Sequence, residues 1–154
     1  MTKAMYQIDQ SIRIEQTNQD TIIGLANTKS DLSYTLVIPA RVKRQIQEYY
    51  RRQGLPTLFM VKLFTAGIIL VLKRSRLKVS NLVIDIEYPG YEIPIMKTIQ
   101  AYFKHQVDIS FSVIGKHSPA HFAAYGVYRH KRRSNHTATL PELLTILHKK
   151  DRGL

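Results

Sequence analysis

The chain has 154 residues, no cysteine, and 23 lysines and arginines against 11 acids, for a formal net charge of +12 and a pI near 10.0. That length suits one domain with a sizeable core, and the missing cysteines exclude a disulfide framework and a thiolate zinc site. The positive excess favours a polyanionic partner, nucleic acid ahead of an anionic membrane surface. The opening MTKAMYQIDQ carries no apolar run after its charge, so no secretory signal is expected and the cytoplasm is the default location.

Residues 5–15 (MYQIDQSIRIE) alternate: Tyr6, Ile8, Ile12 and Ile14 face one way, with Gln10 breaking the row, and Gln7, Asp9, Ser11, Arg13 and Glu15 face the other. That is the period of one long strand or two short ones. TNQD at 17–20 is turn chemistry, residues 21–26 (TIIGLA) a second strand, 27–31 a second turn, and 33–38 (SYTLVI) a third strand stopped by Pro39. Short turns between three strands imply an antiparallel meander.

Residues 41–52 then place Val42, Ile46 and Tyr49 or Tyr50 at helical spacing, with Gly54 and Pro56 as a stop. Residues 58–72 are apolar nearly all round, which reads as a buried helix, although their β-branched second half also suits a strand. The stretch from 55 to 72 contains Pro56, Lys62, Thr65 and Gly67 and falls short of a membrane span. In NLVIDIEYPG (81–90) Leu82, Ile84, Ile86 and Tyr88 alternate with Val83, Asp85 and Glu87, and Pro89 and Gly90 end the strand. Two carboxylates therefore share one face at the carboxyl end of a strand, where open α/β sheets tend to bind ligands.

Residues 91–105 carry Ile95, Ile99 and Tyr102 or Phe103 on one helical stripe, and 107–114 (VDISFSVI) alternate as a fifth strand. Ser118 suits an N-cap and Pro119 a first helical position, so a helix starts there and runs into the basic RHKRR of 129–133. Residues 134–139 read as a polar loop and 140–148 as a short closing helix, with Leu143, Leu144 and Leu147 on its apolar side. No internal repeat, low-complexity tract or linker divides the chain. Nor does it carry a Gly-rich nucleotide loop, a serine-nucleophile motif or an HExxH metal site.

The order β-β-β-α-β-α-β-α, together with Asp9, Asp85, Glu87 and the histidines of GKHSPAH, resembles the ribonuclease H-like fold at its resolvase and YqgF-like end. The resemblance covers roughly residues 5–133 and implies an α/β domain with a five-stranded mixed sheet flanked by helices. Residues from about 134 to 154 would form a short C-terminal helical extension. It also implies that the first and fourth strands lie side by side and parallel. Catalytic carboxylates would come from the first strand, the end of the fourth and the start of the last helix. By this resemblance Asp9 is the first-strand aspartate, and Glu87 or Asp85 the fourth-strand acid, Glu87 being nearer the strand's end. Where relatives usually carry an aspartate the chain offers His117 and His121, and Gln10 and Ser11 stand where glycines usually follow the first aspartate.

Adjacent strands lie about 4.8 Å apart, so acids facing the same way on neighbouring strands can share ions. Two-metal phosphodiester cleavage needs cations roughly 3.5–4 Å apart bridged by carboxylate, and hard oxygen donors favour Mg²⁺ or Mn²⁺. The expected roles are Asp9 as bridge, Glu87 and Asp85 at the second position, and His121 as a further ligand or proton relay. Lys116, His117, Arg129, Lys131, Arg132 and Arg133 are the expected phosphate contacts. A second basic cluster at Lys73, Arg74, Arg76 and Lys78 belongs to the same groove or lies remote from it; Tyr49, Tyr50 and Tyr128 either stack on bases or fill the core. Two readings follow. One is a Mg- or Mn-dependent nuclease or resolvase, a hydrolase acting on DNA or RNA. The other is a non-catalytic nucleic-acid-binding or protein-interaction module on the same scaffold. A branched substrate would suit a two-fold homodimer, and no membrane partner is expected.

Overall fold

The structure, a computed structural model, describes residues 5–104 and 106–152, with side chains as far as residue 148. Among them, six strands form one mixed sheet: β1 (Tyr6–Ser11), β2 (Thr21–Asn27), β3 (Ser33–Ile38), β4 (Asn81–Asp85), β5 (Asp108–Ser112) and β6 (His136–Thr137). Five helices accompany them: α1 (Ala40–Arg52), α2 (Phe59–Ser75), α3 (Glu92–Tyr102), α4 (Pro119–Tyr128) and α5 (Leu140–Arg152). The spatial order is β5-β4-β1-β2-β3-β6. The meander β1-β2-β3 is antiparallel, whereas β4 runs parallel to β1, β5 to β4, and β6 to β3.

Period-two alternation sorts the strand residues between two unlike faces. Ile8, Ile23, Leu25, Leu36, Ile38, Leu82 and Ile84 are buried on one face, beneath α2 and the helices packed around it. At Gly67 the α2 backbone comes against the side-chain ends of Ile23 and Ile38, so the helix lies close on the sheet. α1 contributes Val42, Ile46 and Tyr50 to this core, α3 Ile95 and Ile99, and α5 Leu143, Ile146 and Leu147. Enclosed on all sides, α2 has no need of a polar stripe. By length and composition Pro56–Ser75 could cross a membrane, yet 67% of its apolar window is buried inside the protein. The opposite face carries Ile22, Gly24 and Val37 under α4 alone, in a small separate cluster with Ala124 and Val127.

Several boundaries differ from the sequence reading. The sheet has six strands rather than five, because the segment read as a polar loop contains β6. Asn135 Oδ1 accepts from the Thr35 amide at 2.8 Å, and the Ala138 amide donates to the Val37 carbonyl at 2.8 Å. The tail beyond 134 is thereby woven into the sheet and, through α5, into the core. β1 stops at Ser11, where Ile12 takes a positive φ of 65°. β4 stops at Asp85; the Ile86 amide still bonds the Ser112 carbonyl at 3.1 Å before the chain turns through 88–91. α3 begins at Glu92 and ends at Tyr102, and His105, the last residue of the expected helix, lies outside the described residues.

Candidate metal centre and its basic flank

β1 and β4 are parallel neighbours with Ile8 opposite Ile84, so the next residue of each strand, Asp9 and Asp85, turns to the face that α4 occupies. Glu87 follows two residues later, beyond the end of β4 and before the chain turns. The three side chains can each offer a carboxylate oxygen within 4.8 Å of the other two. Asp9 is buried, and Asp85 and Glu87 are partly so.

Each acid is held in place. Asp9 Oδ1 accepts from the Gln10 amide at 2.8 Å, and its Oδ2 lies 3.1 Å from His121 Nδ1. Asp85 Oδ1 accepts from the Ile114 amide at 2.8 Å, which ties the loop after β5 to the centre. The Glu87 carbonyl accepts from the Arg13 guanidinium. Arg13 is fixed in turn by Glu15 at 3.1 Å and by the Tyr88 ring, 5.0 Å away. The Tyr88 hydroxyl accepts from the Ile14 amide at 3.2 Å and from Gln10 Nε2 at 3.3 Å, and donates to Glu15 Oε1 at 3.2 Å.

Crowding carboxylates away from water disfavours their charged forms. Burial, followed by the charge of Asp85, raises the Asp9 pKa, against the Gln10 amide and His121. Burial also leads for Glu87, followed by a hydrogen bond to Asp85 and by that residue's charge; together they push its carboxyl up to about 8. With no cation bound, the Glu87 carboxyl therefore gives up its proton far less readily than a free glutamate.

His121 comes to Asp9 through two local features of the sequence. Ser118 caps α4 by accepting from the His121 amide at 3.1 Å, with Pro119 in the first turn, as the sequence reading expected. Gly24, the β2 partner of Asp9, leaves room for the helix: an added Cβ would sit 2.8 Å from the Ala120 carbonyl oxygen and 3.0 Å from the Ala124 nitrogen.

The expected phosphate contacts divide between the two ends of α4. Lys116 and His117 are exposed on the loop before it, with the His117 ring 6.4 Å from that of Phe122. Beyond the helix, Lys131, Arg132 and Arg133 line an open groove of about 940 Å³, floored by Ile22, Val37 and Val127. Arg129 lies over Tyr125 at 6.0 Å, and Arg132 donates to Ser33 Oγ at 3.2 Å. The cluster at Lys73, Arg74, Arg76 and Lys78 lies before the start of β4, at the opposite end of that strand from the acids, and Arg74 pairs with Glu142 at 3.2 Å. Tyr50 is core, and Tyr49 packs its ring against Tyr50 and His148. Sequence reasoning missed Arg13, Gln10 and Tyr88 as supports of the acids. It also missed Tyr125, whose spacing of four from His121 was a legible signal. No protein-family model matches the chain, and no curated protein or solved structure does.

Proposed function

We propose that the protein is a divalent-metal-dependent nuclease or resolvase acting on nucleic-acid phosphodiesters, on a ribonuclease H-like scaffold. The observation that carries this reading is the convergence of Asp9, Asp85 and Glu87 within 4.8 Å in a chain of net charge +12. Acids that cluster against so basic a composition, with two pKa values raised by burial and mutual repulsion, are a donor set suited to a hard cation that replaces their proton. The parallel pairing of β1 with β4, which such a scaffold requires, supports the same reading.

In this proposal Asp9, Asp85 and Glu87 would hold Mg²⁺ or Mn²⁺, which would supply an activated water and neutralise charge at the phosphate. The chain's own residues do the rest. His121 holds the Asp9 carboxylate through Nδ1 and is the imidazole placed to relay a proton there. Arg13 and the Ile114 amide hold the fourth-strand acids in place. Lys116, His117 and the basic residues 129–133 bind the phosphates on either side.

The test is cleavage of labelled single-stranded, duplex, hybrid and four-way-junction substrates with Mn²⁺, beside EDTA and Asp9→Asn controls. Cutting that needs the cation and disappears in Asp9→Asn is expected; cutting unchanged in the variant would overturn the assignment. One observation favours a second reading, a non-catalytic nucleic-acid-binding module. The basic groove lies beyond the far end of a ten-residue helix, about 15 Å from the acids. Salt-sensitive binding indifferent to divalent ions, with no cleavage of any substrate, is what that reading requires.

A further inference from the structure

Aromatic residues at helical spacing usually fill a core, but on α4 they do the opposite. The side of α4 that meets the sheet is made of Ala120, Ala123, Ala124 and Val127, all buried. Phe122, Tyr125 and Tyr128 face solvent at 58%, 40% and 37% exposure. The sheet side must be small because Gly24 brings the helix backbone down onto β2, so the large rings have only the outside to occupy.

These rings form an ordered row. His121 stacks on Tyr125 at 5.4 Å with 14° between planes, and Tyr125 on Tyr128 at 5.9 Å with 25°. The first ring of the row touches Asp9 through Nδ1, and the last is followed directly by Arg129, His130, Lys131, Arg132 and Arg133. From Lys116 to Arg133 there is no acidic residue. The one acid lining the groove at the far end, Asp20, is engaged by the Ala40 amide at 2.8 Å.

We propose that the outer face of α4 is a stacking platform for unpaired nucleobases, so that the ligand of this site is single-stranded nucleic acid lying along His121, Tyr125 and Tyr128 with its phosphates on residues 129–133. This deepens the nucleic-acid reading above and rests on it. Exposed aromatic faces next to a cationic track are how proteins hold single strands without reading their sequence, because every base has a π face. A duplex hides its bases and would offer the row only its backbone. A protein partner for these rings is disfavoured by charge: the segment that carries the row has five lysines and arginines (Lys116, Arg129, Lys131, Arg132 and Arg133) and no acid of its own, and beyond the carboxylates at its His121 end the row calls for a polyanion with apolar faces.

The test is fluorescence anisotropy in EDTA, so that no cleavage occurs, with three labelled ligands: a short oligothymidylate, an abasic strand with the same number of phosphates, and a duplex of the same length. The wild-type chain should bind oligothymidylate about tenfold or more tighter than the abasic strand. The double variant Tyr125→Ala, Tyr128→Ala should fall to the abasic level on oligothymidylate while leaving abasic binding unchanged, and Tyr125→Phe should keep wild-type affinity. Equal affinity for the thymidylate and abasic strands would overturn the proposal, as would a double variant that binds thymidylate like the wild type. So would a change from dimer to monomer in that variant by sedimentation, since the row would then cover a second copy of the chain. Because the assay contains no divalent ion, it stands apart from the cleavage test: no cleavage by the wild-type chain with stacking observed sinks the nuclease reading alone, and binding of neither strand sinks both.

Discussion

On one face of the sheet Ile8, Ile23, Leu25, Leu36 and Ile38 lie under large side chains supplied by four helices. On the other, one helix lies over Ile22, Gly24 and Val37, and the carboxylates of Asp9, Asp85 and Glu87 gather at its amino end. The closed face gains from burying apolar area, and nothing on it has to meet a solute. The open face gives up that gain: its helix is seated on alanines, its rings stay in water, and its acids repel one another. The packed core and the candidate site are thus separated by the thickness of one sheet.

The largest expected effect breaks this comparison at its strong side. Phe64 is buried on α2 and meets the Tyr88 ring edge-on at 5.2 Å. Phe64→Ala should cost about 3–5 kcal/mol in urea unfolding. Phe122→Ala, which removes the same ring from the open face, should stay within about 0.5 kcal/mol of wild type. Similar losses from the two would mean that the open face carries core packing after all.

Paired glycines come next. Gly24→Ala sets its methyl against helix backbone, which cannot yield without lifting α4, and should cost about 1–3 kcal/mol. Gly67→Ala meets only the ends of the Ile23 and Ile38 side chains, which can rotate, and regains about 1 kcal/mol of helix propensity, so its net loss should be smaller. Gly24→Ala should also loosen the His121–Asp9 contact, visible as moved imidazole ring resonances by NMR, whereas Gly67→Ala should leave those resonances in place.

How much of this was legible beforehand follows the reach of each signal. Period-two alternation is local, so it placed Asp9 and Asp85 on one side of their strands, and Ser118-Pro119 marked the start of α4. Glu87 turned the same way although β4 had already ended, because Ile86 still pairs with Ser112 and the chain turns only from Tyr88. Contacts made across long stretches of chain leave no local trace. β6 is two residues whose only reason to be a strand is β3, and two residues have no period. Lys43 sits in a helix that reads as polar, yet it is fully buried, with Nζ donating to the Gln16 carbonyl at 2.8 Å and to Thr21 Oγ1 at 2.9 Å. Its partners lie more than twenty residues away, and no spacing rule finds them. Tyr128 was left open between stacking on bases and filling the core, because its outward direction, like that of Tyr125, depends on Gly24, in another element.

The last expected effect is a pair of slopes. Glu87, facing Asp85, Asp9 and Gln10, titrates at about 8 when folded against 4.5 for a free glutamate, chiefly through burial. Between those values the folded chain holds a proton that the unfolded chain has released, so stability falls as pH rises from 4.5 to about 8 and this contribution is flat above. Lys43, facing Asp20, Glu15 and Arg44, is lowered from 10.5 to about 8, again chiefly by burial. There the unfolded chain binds the extra proton, so stability rises from pH 8 to 10.5. The two slopes have opposite signs and meet near pH 8. Thermal unfolding across pH should show Glu87→Gln flattening the lower limb and Lys43→Met the upper. Mn²⁺ should act on the lower limb alone, raising Tm more at pH 8 than at pH 5, because a cation between the acids does the proton's work only once the proton has gone. An equal rise at both pH values would put the ion somewhere other than between Asp9, Asp85 and Glu87.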